Sequence, residues 1–235
     1  TKSHNCVTLS DAGQIMRSHD SAGSTDRPFE DERIAYLRGT ADASYADRAD
    51  RCRRHLVYLK QHSCFLLIDE FVARPGIVSA LEWNAHSWNE FAVDEAGRSF
   101  RLEREGSVME GHFLYHHNSF FTLSEGFDPP PGSEKPSDQW RPQHHLRFTP
   151  TGLVLRQNLG VVLACGHETL EPAPVQTQRT GDAEVARIGD DLLAVNMGGG
   201  ISVEEVQSHA LAALVLDAVQ YEITDTGVVR ADSTS

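Results

Sequence analysis

Residues 53–71 constrain the fold more than any other stretch of this chain. His55-Leu56-Val57-Tyr58-Leu59-Lys60 is a strand-sized apolar run, Gln61-His62-Ser63 is a polar break, and Cys64-Phe65-Leu66-Leu67-Ile68-Asp69-Glu70-Phe71 is a second, more apolar run. Two such runs joined by three residues read as a β-hairpin whose second strand is the more buried. The same reading extends outward. Residues 5–9 alternate and end in the turn signal Ser10-Asp11-Ala12-Gly13. Residues 34–45 read as a strand pair broken at Arg38-Gly39, and residues 17–32 as polar loop or irregular edge.

Further strand-sized runs follow at 79–88, 91–93, 99–104, 107–115 and 120–124, then at 144–148, 153–156, 160–164, 184–188, 192–196, 221–223 and 228–230. Their spacing of about 8–12 residues is that of antiparallel sandwiches. Asp128-Pro129-Pro130-Pro131-Gly132 opens a loop too short to link two domains. Residues 203–216 carry Val206, Ala210, Leu211, Leu214 and Val215 at helical spacing and are the one candidate helix. The expectation is an all-β chain, one large antiparallel β-sandwich over residues 1–235, supersandwich-like and with little helix.

Composition narrows the function. With 21 basic and 34 acidic residues the formal charge is −13, which disfavours nucleic acid and anionic membrane as partners. No apolar run reaches the ~18 residues of a membrane-spanning helix. Cys6, Cys52, Cys64 and Cys165 form no C-x-x-C pair and do not make a disulfide scaffold. The chain has no initiator methionine and no signal-peptide pattern, and reads as an excised domain or processed chain.

Chemistry concentrates in the twelve histidines. In the adjacent pairs His116-His117 and His144-His145, successive rings on a strand point to opposite faces, so neither pair can act as one chelating unit through both rings, which leaves one ring of each to line a cleft. Three places stand out. Ser3-His4-Asn5-Cys6-Val7-Thr8 offers an imidazole beside an amide, either a structural pair or a group for proton transfer. His19-Asp20 lies in a polar loop, and Arg53-Arg54-His55 enters the apolar hairpin. An aspartate, an imidazole and a thiolate gathered from separate strands would suit zinc. Asp69 reads as a structural residue closing its apolar run. In Trp83-Asn84-Ala85-His86-Ser87-Trp88, aromatics beside polar side chains suit sugar stacking, although tryptophans in a sandwich are usually core.

These motifs together resemble a known family. Ser3-His4-Asn5-Cys6-Val7-Thr8 followed by Gly13-Gln14 resembles the opening of the C-terminal β-domain in heparinase II/III-like polysaccharide lyases, a group that includes related alginate lyases. The 53–70 hairpin and Trp83-Asn84-Ala85-His86 resemble the strands that follow in that family. The resemblance is rich in motifs over residues 3–90 and thereafter rests on the even succession of strands.

The resemblance implies a lyase that cleaves uronic-acid glycans, glycosaminoglycan or alginate, by β-elimination in a cleft between this sandwich and an N-terminal α/α-toroid. His4 takes the position of the family's catalytic histidine, and His86 and Trp83 are the expected substrate contacts. A structural zinc is implied, with Asp20 and His55 as ligands and His4 or Cys6 as the first; the family usually has Thr where Cys6 stands. The toroid, which normally carries the catalytic tyrosine and the groups that bind the uronate carboxylate, has no counterpart here, so the isolated domain is expected to be inactive. The alternative is a noncatalytic carbohydrate-binding or structural sandwich. A periplasmic or secreted location is implied by the family.

Overall fold

A computed structural model of the chain describes residues 4–15, 18–126, 143–153, 155–204 and 206–231. Among these residues the strands form four antiparallel sheets. The four-stranded sheet is ordered β1 (Val7–Leu9), β7 (Leu81–Ser87), β12 (His144–Pro150), β11 (Ser119–Glu125). The nine-stranded sheet is ordered β2 (Ser24–Thr25), β4 (Ile34–Thr40), β5 (Ala49–Leu59), β6 (Cys64–Ala73), β13 (Arg156–His167), β10 (Ser107–Leu114), β9 (Ser99–Arg104), β8 (Phe91–Asp94), with β3 (Phe29–Glu30) also paired to β4. The six-stranded sheet is ordered β14 (Val175–Thr180), β15 (Ala183–Ile188), β16 (Asp191–Asn196), β19 (Ala212–Leu216), β20 (Val219–Thr224), β21 (Gly227–Ala231). A ribbon of β17 (Ile201–Val203) and β18 (Val206–Ser208) completes the set.

The sheets stack as layers because strand side chains alternate between two faces. On β6, Leu67 and Phe71 join a core with Val7, Trp83, Phe113 and Phe148, between the nine- and four-stranded sheets. Their neighbours Leu66 and Ile68 join Val57, Leu193, Leu214 and Tyr221, between the nine- and six-stranded sheets. A third, smaller core lies between the six-stranded sheet and the ribbon. The central sheet is thus apolar on both faces, as the 64–71 run required, and each large side chain it buries contributes about 1.5–3 kcal/mol. Phe113 stacks on Phe148 at 3.8 Å between ring centroids. Gly111 is needed beside them, since a Cβ there would lie 2.1 Å from the Phe100 ring.

The expected all-β sandwich is the fold observed, and the hairpin is its centre, running from Ala49 to Ala73. Several local expectations are corrected. Residues 203–216 hold no helix: the chain turns at Glu204, where φ is +52°, and β19 buries Ala212, Leu214 and Leu216 on one face and Ala213 with Val215 on the other. Burial on both faces removes the period-2 signal and leaves an apolar run that mimics a helical stripe. β4 passes unbroken through Arg38-Gly39, and Asp42–Tyr45 is a 3₁₀ turn. The expected strand at 153–156 instead begins at Arg156, and β14 escaped notice because its pattern is polar. The proline-rich loop lies outside the described residues.

Candidate active-site face

β7 divides its side chains between the core and the outer surface of the four-stranded sheet. Leu81, Trp83 and Ala85 enter the core, so Glu82, Asn84 and His86 face away from it. Register pairs His145 with His86 and Arg147 with Asn84, which brings two further polar side chains to the same face. Trp83, expected to stack on sugar, is corrected by this alternation: it is buried against Phe113 and Phe100 and offers no ring to a ligand.

The outer face is a connected polar network (Fully buried amides and carboxylates need such partners). Asn84 is fully buried; its amide nitrogen donates to the Cys6 carbonyl at 3.0 Å and to Thr8 Oγ1 at 3.1 Å. Asn84 Oδ1 lies 2.9 Å from His145 Nε2 and 3.3 Å from Arg147 Nε. The carboxylate of Glu82 accepts the Thr8 hydroxyl at 2.6 Å and the Asp11 backbone N–H at 2.9 Å. Because Asn84 Oδ1 accepts from His145, that ring carries its proton on Nε2. The His145 ring stacks on His86 with centroids 4.2 Å apart and planes 13° from parallel.

His4 sits at the margin of this network and is exposed. The segment it begins is tied to two strands, β5 and β7. Asn5 Oδ1 accepts the His86 backbone N–H at 2.7 Å, the Asn5 carbonyl accepts Arg54 Nη1 at 2.8 Å, and the Cys6 carbonyl accepts the Asn84 backbone N–H at 3.2 Å. Arg54 is itself held by Asp69 through two hydrogen bonds, Nε to Oδ1 at 2.7 Å and Nη2 to Oδ2 at 2.8 Å. Asp69 is therefore a structural residue as expected, but within β6 rather than at a turn. Cys6, Tyr45, Cys52, Arg54 and Asp69 line a cleft of about 560 Å³ beside this segment. The Tyr45 hydroxyl closes one wall by donating to the Val7 carbonyl at 2.7 Å.

The expected zinc ligands are not brought together. Cys6 and Arg54 belong to the side of the central sheet that faces the four-stranded layer, whereas His55, the next residue on β5, points to the opposite face. There it is fully buried, with Nδ1 3.0 Å from the Tyr36 hydroxyl and Nε2 4.0 Å from Glu70. Asp20 is exposed in its loop, its backbone N–H donating to Ser18 Oγ. Burial also pushes the Cys6 thiol up, although Arg54 partly opposes this. The residues Cys6, Asp20 and His55 do not fit a shared ion. Among the described residues, the group with ligand atoms close enough for one is Glu90, Glu125 and His144, at the open end of β12.

Of the expected site residues, then, the structure brings His86 to this outer face and leaves His4 exposed at its margin, while Trp83 lies in the core, His55 on the far side of the central sheet, Asp20 in its exposed loop, and the Cys6 side chain in the neighbouring cleft. Asn84, His145, Arg147 and Arg54 were not singled out as site residues. Their signal was the alternation of 82–86 and 145–147, which becomes informative only once β7 and β12 are known to be neighbours.

No family model and no curated protein matches the chain. Solved structures do. Heparan sulfate lyase HepC from Pedobacter heparinus superposes over 99 % of this chain with a TM-score of 0.56 and 11 % identity. A heparinase III structure matches over 83 % of the chain with a TM-score of 0.55 and 8 % identity. The chain shares its fold with part of those lyases. It spans 30 % of the length of the first and 29 % of the second. Among the described residues no helix is long and apolar enough to cross a membrane.

Proposed function

We propose that this chain is the β-sandwich domain of a polysaccharide lyase that cleaves uronic-acid glycans by β-elimination, with His4 supplied to a cleft completed by a helical domain. The observation that carries the proposal is the setting of His4: an exposed imidazole heading a segment whose next two residues, Asn5 and Cys6, are fixed by Arg54, His86 and Asn84, on a fold like that of heparan sulfate lyases. Fixing the supports of a reactive group in advance is what orientation-dependent catalysis requires.

The reaction sets the roles. The uronate C5 proton becomes acidic when the neighbouring carboxylate is neutralised. A base removes it, the C5–H electrons form the C4=C5 double bond, and the C4–O4 bond breaks as an acid protonates O4. His4 is the base or the carboxylate-neutralising group. His86, half-buried beside Asn5, contacts the sugar. The Arg54–Asp69 pair holds the His4 segment and stays out of the chemistry. A glycosaminoglycan is the substrate favoured by the solved neighbours, and a periplasmic or secreted location would suit such a polymer.

The test is product formation. The protein expressed from its whole gene, mixed with heparan sulfate, other glycosaminoglycans and alginate, should generate ultraviolet-absorbing unsaturated uronate ends on at least one of them. Absence of product across the panel would refute the lyase reading and leave a noncatalytic carbohydrate-binding sandwich.

A further inference from the structure

A second cleft lies where the nine- and six-stranded sheets meet, away from His4. Its volume is about 460–580 Å³ on either side of Arg156, and the larger part is lined by Tyr115, His116, Asn118, Gln157, Arg179 and Asp182, among others. Its framework is a buried carboxylate. Glu184, on β15, is fully buried and accepts both the backbone N–H of His116 at 2.9 Å and His116 Nδ1. A carboxylate with no exposure must be paired to remain charged, and here its partner is one imidazole. Because an ionised carboxylate only accepts, the ring hydrogen sits on Nδ1, which leaves Nε2 as the ring's other nitrogen. The His116 side chain is 21 % exposed.

The rest of the lining is rich in donors. Gln157 is 6 % exposed, and its Nε2 has no hydrogen-bond partner among the described residues. A buried amide left without an acceptor costs about 1–3 kcal/mol, so a ligand that supplies one is favoured. The Arg179 guanidinium is 31 % exposed; its Nε donates to the Gly181 carbonyl at 3.0 Å, its Nη1 lies 3.4 Å from His117 Nδ1, and its Nη2 is 3.9 Å from the Asp182 carboxylate, too far for a hydrogen bond. Arg156 is 62 % exposed, with Glu70 at 3.8 Å. A guanidinium carries five N–H donors, so each arginine keeps donors beyond these contacts, and the buried Gln157 amide adds its own.

We infer that this cleft binds an oxyanion, the carboxylate or sulfate of an acidic sugar unit, with Gln157, Arg179 and Arg156 as donors and the Glu184-held His116 beside it. That the anion is carried by a sugar rests on the lyase reading above. The need for an acceptor opposite Gln157 does not. The site lies off the outer face that carries His86, at the other end of β12, and Thr151, which follows that strand, is in the cleft wall. It would engage a sugar remote from the bond being cleaved.

Calorimetric titration of the chain with glucuronate, glucosamine 6-sulfate, inorganic sulfate and glucose tests this. One or both acidic sugars should bind saturably and glucose should not. Arg179→Gln, at an exposed position, and His116→Gln should each weaken that binding at least tenfold. In the unsubstituted chain labelled with 15N-histidine, the same sugars should shift the His116 ring nitrogens, a readout that does not depend on any variant folding. Failure of both acidic sugars to bind, equal binding of glucose, or undiminished affinity in the Arg179 and His116 variants would overturn the proposal. Inorganic sulfate binding as tightly as the acidic sugars would overturn its sugar component. Loss of lyase activity with this binding intact would count against the lyase reading alone.

Discussion

Glu70 provides the sharpest stability test because it is ionised where burial opposes ionisation. Its side chain is 1 % exposed, facing the six-stranded sheet, with Arg51 Nη1 at 2.6 Å, Arg156 at 3.8 Å and the His55 ring at 4.0 Å. Burial alone would raise the carboxyl. The His55 imidazole and then the Arg51 guanidinium outweigh it and hold the carboxyl down at about 2, against an ordinary 4.5. The folded value lies below the unfolded one, so the folded state favours the ionised form. The associated stability is fully present above pH 4.5 and is lost as pH falls toward 2. Holding the carboxyl at about 2 rather than 4.5 corresponds to about 3 kcal/mol at neutral pH, somewhat under half of which is gone by pH ~3.5. Urea unfolding of the unsubstituted chain and of Glu70→Gln at pH 7 and pH 3.5 measures this directly. Glutamine does not titrate, so the stability gap between the two proteins should narrow by about 1 kcal/mol at the lower pH. A gap that is equal at both pH values would refute the pairing.

Other outcomes follow from the same contacts. Asn84→Ala removes the amide shared by Cys6, Thr8 and His145 and should cost about 2–4 kcal/mol in urea unfolding; a loss below about 1 kcal/mol would mean the network is not cooperative. Arg54→Ala leaves the Asp69 carboxylate buried without its partner and should cost about 3–5 kcal/mol, whereas Arg54→Ala with Asp69→Ala together should cost less than the sum of the single changes; strict additivity would deny the coupling. Chelator treatment should leave the melting temperature unchanged, since Cys6, Asp20 and His55 sit apart; a drop of several degrees would place a structural ion in the sandwich.

The layered fold was legible because its most apolar run, 64–71, is long and bounded by clear turns. What escaped reading were segments whose local pattern is ambiguous. β19 is buried on both faces, and its run Ala212-Ala213-Leu214-Val215-Leu216 has no alternation to betray a strand. Gly39 suggested a break, yet β4 runs through it in ordinary extended pairing with Arg54.

The site was legible in its edges and hidden in its middle. Alternation describes His145, which stacks on His86 on the outer face of the four-stranded sheet, whereas His116 and His117 lie between β10 and β11 rather than on a strand and both line the cleft beside Arg179. The same rule, applied to Arg54-His55, separates the hairpin's arginine from its histidine and explains why His55 and Cys6 cannot meet. Trp83 failed as a sugar platform for the same reason, being in phase with Leu81 and Ala85. Glu184 gave no signal of its own, because a lone glutamate between Ala183 and Val185 looks like the solvent side of a strand.

The imidazole at position 4 is best tested by turnover. In the protein made from its whole gene, His4→Ala should abolish release of unsaturated uronate while shifting the melting temperature by no more than about one degree, as expected for an exposed side chain. Full activity in that variant, or collapse of its stability, would contradict the role assigned to His4.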